Sequence, residues 1–222
     1  MKLVRAMFIP ALLFVASLGC SPALETPTQA LLTVLVRASA EAGPSTTQLD
    51  TARQVVETRL SILVDPDPEV AVSEGGLRVT AVDTPETRMM LETSIEPAFF
   101  LLLDSENSLP TGSIAPRDAL VILSGDNIIN AEAVPTEAGG WLVVMDLDDE
   151  ATATMAQFST QNLGHYLIFA KDDEVVASLR LEAAIVDGRA AIVGIDQSVA
   201  RIIAAQMESG SLPLGLTLAI EQ

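Results

Sequence analysis

Residues 164–194 read GHYLIFAKDDEVVASLRLEAAIVDGRAAIVG. Tyr166 to Phe169 and Glu174 to Leu179 are β-prone runs flanking Lys171-Asp172-Asp173, which predicts two short strands joined by a tight turn. Ala190 to Val193 predicts a further strand. Gln197 to Met207 has the apolar spacing of a helix, and Leu214 to Ile220 reads as a closing strand. Strands that meet through short turns, interrupted by single helices, make antiparallel sheets with helices on one side. The fold class is therefore α+β.

Working towards the N-terminus, Asp148 to Leu163 predicts a helix, while Trp141 to Leu147 and Ala119 to Leu123 predict strands. Asp104 to Pro116 is rich in Ser, Asn, Pro and Gly and marks a crossing between lobes. Before it, Gln29 to Arg37 is β-prone, and Leu49, Ala52, Val55, Val56, Leu60 and Leu63 recur at helical spacing. Val70 to Val72 and Leu77 to Val82 predict a hairpin through Glu74-Gly75-Gly76. Thr84-Pro85-Glu86 opens a second helix with a capping hydroxyl and a proline at the first helical position. Ala98 to Leu103 then reads as a strand. This order, strand, helix, two strands, helix, strand, is ferredoxin-like. The expected organisation is a ferredoxin-like base over 29–103, an inserted α+β head lobe over 104–208, and a closing strand over 209–222 that returns to the base.

The N-terminus carries an address. Lys2 and Arg5 precede an uncharged, mostly apolar run from Met7 to Gly19, the layout of an export signal. As a helix, Ala6 to Cys20 would reach roughly 22 Å, short of the roughly 30 Å hydrocarbon core of a bilayer. Ser17-Leu18-Gly19-Cys20 resembles a bacterial lipobox, with the leucine one place nearer the cysteine than is usual. That implies removal of residues 1–19, lipidation of Cys20 with attached fatty acids such as palmitate, and a tether over 20–28. Simple secretion after cleavage at Ser21-Pro22-Ala23 is the alternative.

The chain has 222 residues, 30 acidic against 12 basic, and a net charge of −18. Loss of Lys2 and Arg5 with the signal leaves 10 basic residues and a net charge of −20. Such a surface repels nucleic acid and anionic head groups. Cys20 is the one cysteine, so neither a disulfide nor a cysteine-ligated metal is available.

Catalytic groups are few. His165 is the single histidine, and Lys171 the single lysine after the signal, expected to be solvated in its turn. No nucleophile elbow, phosphate loop or zinc-protease motif is present. The run Asp146-Leu147-Asp148-Asp149-Glu150 offers Asp146, Asp148, Asp149 and Glu150 as candidate calcium ligands, yet it also stands where carboxylates complement the start of a helix. Gly75-Gly76 and Gly139-Gly140 are expected in hairpin turns.

Three segments carry a family likeness. Gly164 to Ala170 with Val175 to Ser178, then Gly188-Arg189-Ala190-Ala191-Ile192-Val193-Gly194, then Ser209-Gly210-Ser211-Leu212-Pro213 resemble, in order and spacing, the P1 domain of the protein-export subunit SecD. Thr51 to Leu60 is similar to that domain's first long helix. The resemblance gives Gly164, Gly188, Arg189, Gly194, Gly210, Leu212 and Pro213 structural roles. It implies an extracytoplasmic base carrying a head lobe, without enzymatic activity or cofactor, whose partners are exported polypeptides or translocase components. No second apolar span follows Gly19, so the expectation is the domain alone, as a stand-alone lipoprotein held to a bacterial membrane through its N-terminal lipid. An extended chain could join an exposed strand edge. The rivals are a carboxylate-based calcium-binding or enzymatic domain and a structural envelope lipoprotein.

Overall fold

The computed structural model describes residues 31–38, 43–96, 98 and 100–219. The signal, Cys20 and the tether lie outside the described residues.

The base is built from β1 (Leu31–Ala38), α1 (Thr46–Leu63), β2 (Glu69–Ser73), β3 (Gly76–Val82) and α2 (Pro85–Ser94). Ser45 and Gln48 start α1 with a capping box, each side chain engaging the other residue's backbone N–H. Leu49, Ala52, Val56, Leu60 and Leu63 form the buried stripe. In β3, Leu77, Val79 and Ala81 are buried and alternate with Arg78 and Thr80, so the inner face of the sheet meets that stripe. Each fully buried Val or Leu contributes about 1.5–3 kcal/mol. Thr84 accepts the Thr87 N–H at 3.0 Å and Pro85 occupies the first turn of α2.

The head follows as β4 (Phe100–Ser105), β5 (Val121–Ser124), β6 (Ile128–Pro135), β7 (Trp141–Leu147), α3 (Asp149–Gln161), β8 (Tyr166–Lys171), β9 (Glu174–Arg180) and β10 (Arg189–Ile195). The chain finishes with α4 (Gln197–Ser209) and β11 (Leu216–Ala219). Three sheets result, ordered β11-β1-β3-β2, β5-β4-β8-β9 and β10-β7-β6, and every strand pairing is antiparallel among the described residues. The two head sheets share one core, in which Phe100 and Phe169 stack with ring centres 5.5 Å apart.

Two corrections follow. The strand expected over 98–103 in the base is paired instead with head strands, β4 running between β5 and β8. The reason is that β4 is apolar on both faces. Phe100 and Leu102 enter the main head core, while Leu103 enters a second cluster with Ile168 and Val175. A strand buried on both sides needs cover that the single-helix layer of the base cannot supply. The base sheet instead takes β11 as its fourth strand, in register Leu35↔Ala219 through Ala38↔Leu216. The second correction is α4, which serves both lobes rather than the head alone. Its Ala200, Ile203, Ala204 and Met207 face the head core, and its Ile202 and Ala205 pack with Leu63 and Met90 of the base. Sequence reading also missed β6, the partner of β7, although it placed the Gly139-Gly140 turn that joins them.

Gly188 shows how tightly the head is closed. It stands at φ +73°, a region disfavoured for L side chains, and a Cβ there would lie 2.6 Å from Thr152 Oγ1 on α3. Gly188→Ala is expected to cost about 1–3 kcal/mol in urea denaturation. Combining it with Thr152→Ala should recover part of that loss; a double variant as unstable as the summed singles would show that the contact is not the cause.

Candidate functional site

The lobes meet around one buried cation. Arg59 sits on the inner stripe of α1 with no exposed surface. Its Nε donates to Ser209 Oγ at 2.9 Å, Nη1 to the Glu96 carbonyl at 2.6 Å, and Nη2 to the Gly210 carbonyl at 2.6 Å. One guanidinium thus ties α1 to the end of α2 and to the end of α4. Burial pushes its pKa down to about 10, opposed by the charges of Asp172 and Glu96, so it keeps its proton at neutral pH. Asp172 lies in the β8–β9 turn of the head.

That turn docks on the base. Lys171 pairs with Glu96 and lies 3.7 Å from Asp172. Its side chain is 16% exposed, so the solvated lysine expected from sequence is instead an inter-lobe ion-pair partner. Asp172 and Asp173 at the tip stay exposed, while Lys171 reaches across to Glu96 beyond the end of α2.

Beside this junction runs an apolar groove of about 650 Å³ between α2, α4 and the β8–β9 hairpin. It shares Thr111, Val176 and Val199 with a second hollow of about 380 Å³ beside β10. Met89, Val199 and Val193, all exposed apolar side chains, line the resulting trough. Gln206 forms part of its wall: Nε2 donates to the Thr93 carbonyl at 2.7 Å, and Oε1 has no hydrogen-bond partner among the described residues. An acceptor left so costs about 1–3 kcal/mol.

The start of the outer edge of β9 is already occupied. The segment before β5 pairs with it, Gly112 N–H to the Val175 carbonyl at 2.8 Å and Val175 N–H to the Ser113 carbonyl at 2.8 Å. An incoming chain would therefore find the edge closed over 173–175 and meet side chains in the trough.

The carboxylate run is dispersed by the fold. Asp146 accepts from Asn130 at 3.0 Å and from Arg189 Nε at 2.9 Å, and these bonds hold it below the usual carboxylate range. Asp148 caps α3, accepting the Ala151 N–H at 2.7 Å, with Asn127 at 3.3 Å, and is lowered for that reason. Asp149 and Glu150 occupy the first turn of α3. Among the described residues no three His, Cys, Asp or Glu side chains gather to hold a metal ion. His165 Nδ1 lies 2.9 Å from Asp104 Oδ1, tying the entry of β8 to β4.

The remaining motif residues shape turns. Gly164 N–H meets the Leu181 carbonyl at 2.8 Å, and Gly194 stands at the irregularity between Val193 and Ile195 in β10. Gly210 ends α4 at φ +75°, which turns its carbonyl onto Arg59. Leu212 enters the base core and Pro213 leads towards β11. Sequence reading missed the pairing of Arg59 with this turn, because the partners stand about 150 positions apart.

Residues 106–214 match the family model described as SecDF, P1 head subdomain. Protein translocase subunit SecD of Thermobaculum terrenum is 36% identical over 104 residues, which is 46% of this chain and 20% of that protein. The SecD subunit of Mycobacterium tuberculosis is 33% identical over 98 residues, 42% of this chain and 17% of that protein. The matched stretch thus spans a fifth or less of these relatives. A solved structure described as "Structure and function of a membrane component SecDF that enhances protein export" superposes with a TM-score of 0.66 at 23% identity, covering 86% of this chain and 99% of that one. SecDF in its super-membrane-facing form gives 0.68 at 22% identity, over 86% of this chain and 30% of that one. These likenesses fix the fold, base included. No helix among the described residues is long and apolar enough to cross a membrane.

Arg59→Met, close in volume but without donors, strands two carbonyls and a hydroxyl and is expected to cost about 2–5 kcal/mol in urea denaturation. Arg59→Lys should recover little of it, since an ammonium cannot reach three partners in one plane. A lysine variant of wild-type stability would refute the planar clamp.

Proposed function

We propose that this chain, which carries a SecDF P1 domain, is an extracytoplasmic, non-enzymatic module that binds polypeptide chains as an accessory to protein export or envelope assembly. One observation carries the reading: the head lobe matched to the SecDF P1 head subdomain joins its base along an open, apolar, side-chain-lined trough. Clefts between lobes are common binding positions, and apolar walls with few polar groups suit chains that expose apolar side chains before folding. Among the described residues no group along the trough is arranged as nucleophile with base, which favours binding over chemistry. Anchoring through lipid on Cys20 belongs to the same proposal and rests on the Ser17-Leu18-Gly19-Cys20 motif behind its signal.

The purified protein is expected to bind a permanently unfolded probe, reduced and alkylated α-lactalbumin, with micromolar affinity in calorimetry, and the native disulfide-bonded form at least about tenfold more weakly. Equal or absent binding of both forms sinks the reading. Separately, Cys20→Ser is expected to abolish incorporation of labelled fatty acid and shift the protein from the membrane to the soluble fraction; unchanged labelling would remove the anchor.

A further inference from the structure

The trough has a chemical bias beyond being apolar. Its floor is Met89, Val199, Ile202 and Ile203. Its rim carries Glu96, Asp172 and Glu174; Lys171 pairs with Glu96 and lies 3.7 Å from Asp172, and the buried Arg59 is coupled to both, so three carboxylates face two cations. In its wall the Gln206 amide is held by the bond from Nε2 to the Thr93 carbonyl, so Oε1 cannot turn away to find another donor. The trough therefore presents two things together, apolar surface and surplus negative charge, while Gln206 Oε1 stays buried behind its wall.

We infer that the preferred occupant is a polypeptide segment with an apolar stretch flanked by lysine or arginine. Resting on the polypeptide-binding reading above, this adds where the segment lies and which segments are chosen. Apolar side chains lie on Met89, Val199 and Ile202, and the flanking cations meet the rim carboxylates. An acidic segment is disfavoured twice, by the rim and by the net charge of −18 of the whole chain. An anionic membrane surface is repelled for the same reason, so the trough faces peptide and not lipid.

The test uses the whole protein and three labelled synthetic peptides of equal length, read by fluorescence anisotropy. One has two lysines before a Leu/Ala run, one has two glutamates before that run, and one has two lysines before a Ser/Gly run. The first is expected to bind at least about tenfold tighter than either other, and to weaken severalfold at about 0.5 M salt, where charge attraction is screened. Met89→Ser combined with Val199→Ser changes two exposed side chains and should weaken the first peptide about tenfold. A benzophenone carried by the first peptide should crosslink to α2 and α4 of the unmutated protein, which keeps the test independent of whether a variant folds. Equal binding of lysine and glutamate peptides, or crosslinks away from α2, α4 and the β8–β9 hairpin, overturns the inference while unfolded α-lactalbumin is still bound. Failure of that probe to bind at all removes the underlying function as well.

Discussion

A guanidinium without water is the condition that the rest of this molecule satisfies. Arg59 cannot shed its charge at neutral pH, and burying it unpaired would be far costlier than any single apolar contact could offset. The chain therefore delivers a set of oxygens to it: the Glu96 carbonyl from the end of α2, the Ser209 hydroxyl and the Gly210 carbonyl from the end of α4. Helix ends expose carbonyls that lack intrahelical partners. Two such ends converge on one cation, so each side removes the other's penalty. The positive φ of Gly210 and the burial of Leu212 keep the α4 end aimed at that point.

Placement of the two lobes follows from that junction. α4 lies between them with apolar groups on both faces, and the β8–β9 tip reaches across to Glu96 through Lys171. Because α4 and the hairpin are both held, the space between them and α2 stays open as a trough. Its walls belong to different lobes, so its width depends on the same contacts that keep head and base together. An occupant bound there would be coupled in energy to the contacts that hold the lobes together, by no more than the difference in contacts between two arrangements.

The sequence carried the strands and helices well where one face was buried and the other wet. Leu77, Val79 and Ala81 alternate with Arg78 and Thr80, and the α1 stripe falls at steps of three and four. It failed where that asymmetry was missing. β4 is buried on both faces and carries no alternation to say which sheet it joins. β6 has mostly small or polar residues, and only the turn after it gave notice of its presence. The carboxylate run from Asp146 to Glu150 is open to two readings in sequence, a shared cation or a helix start, and the structure shows Asp148 capping α3 while Asp146 bonds Asn130 and Arg189.

By itself the sequence determined the acidic composition, the α+β class and most of the order of elements, because each of these is set by local composition or by spacing within a few residues. The three motif segments gave the family likeness for the same reason, being contiguous. Only the tertiary structure decided that Arg59 meets Ser209 and Gly210, that Lys171 crosses to Glu96, and that Gln206 lies buried in the trough wall with one acceptor unspent. Those meetings join residues that lie 150, 151 and 75 positions apart in the first three cases, and separation of that size leaves no periodic trace for a linear reading to find.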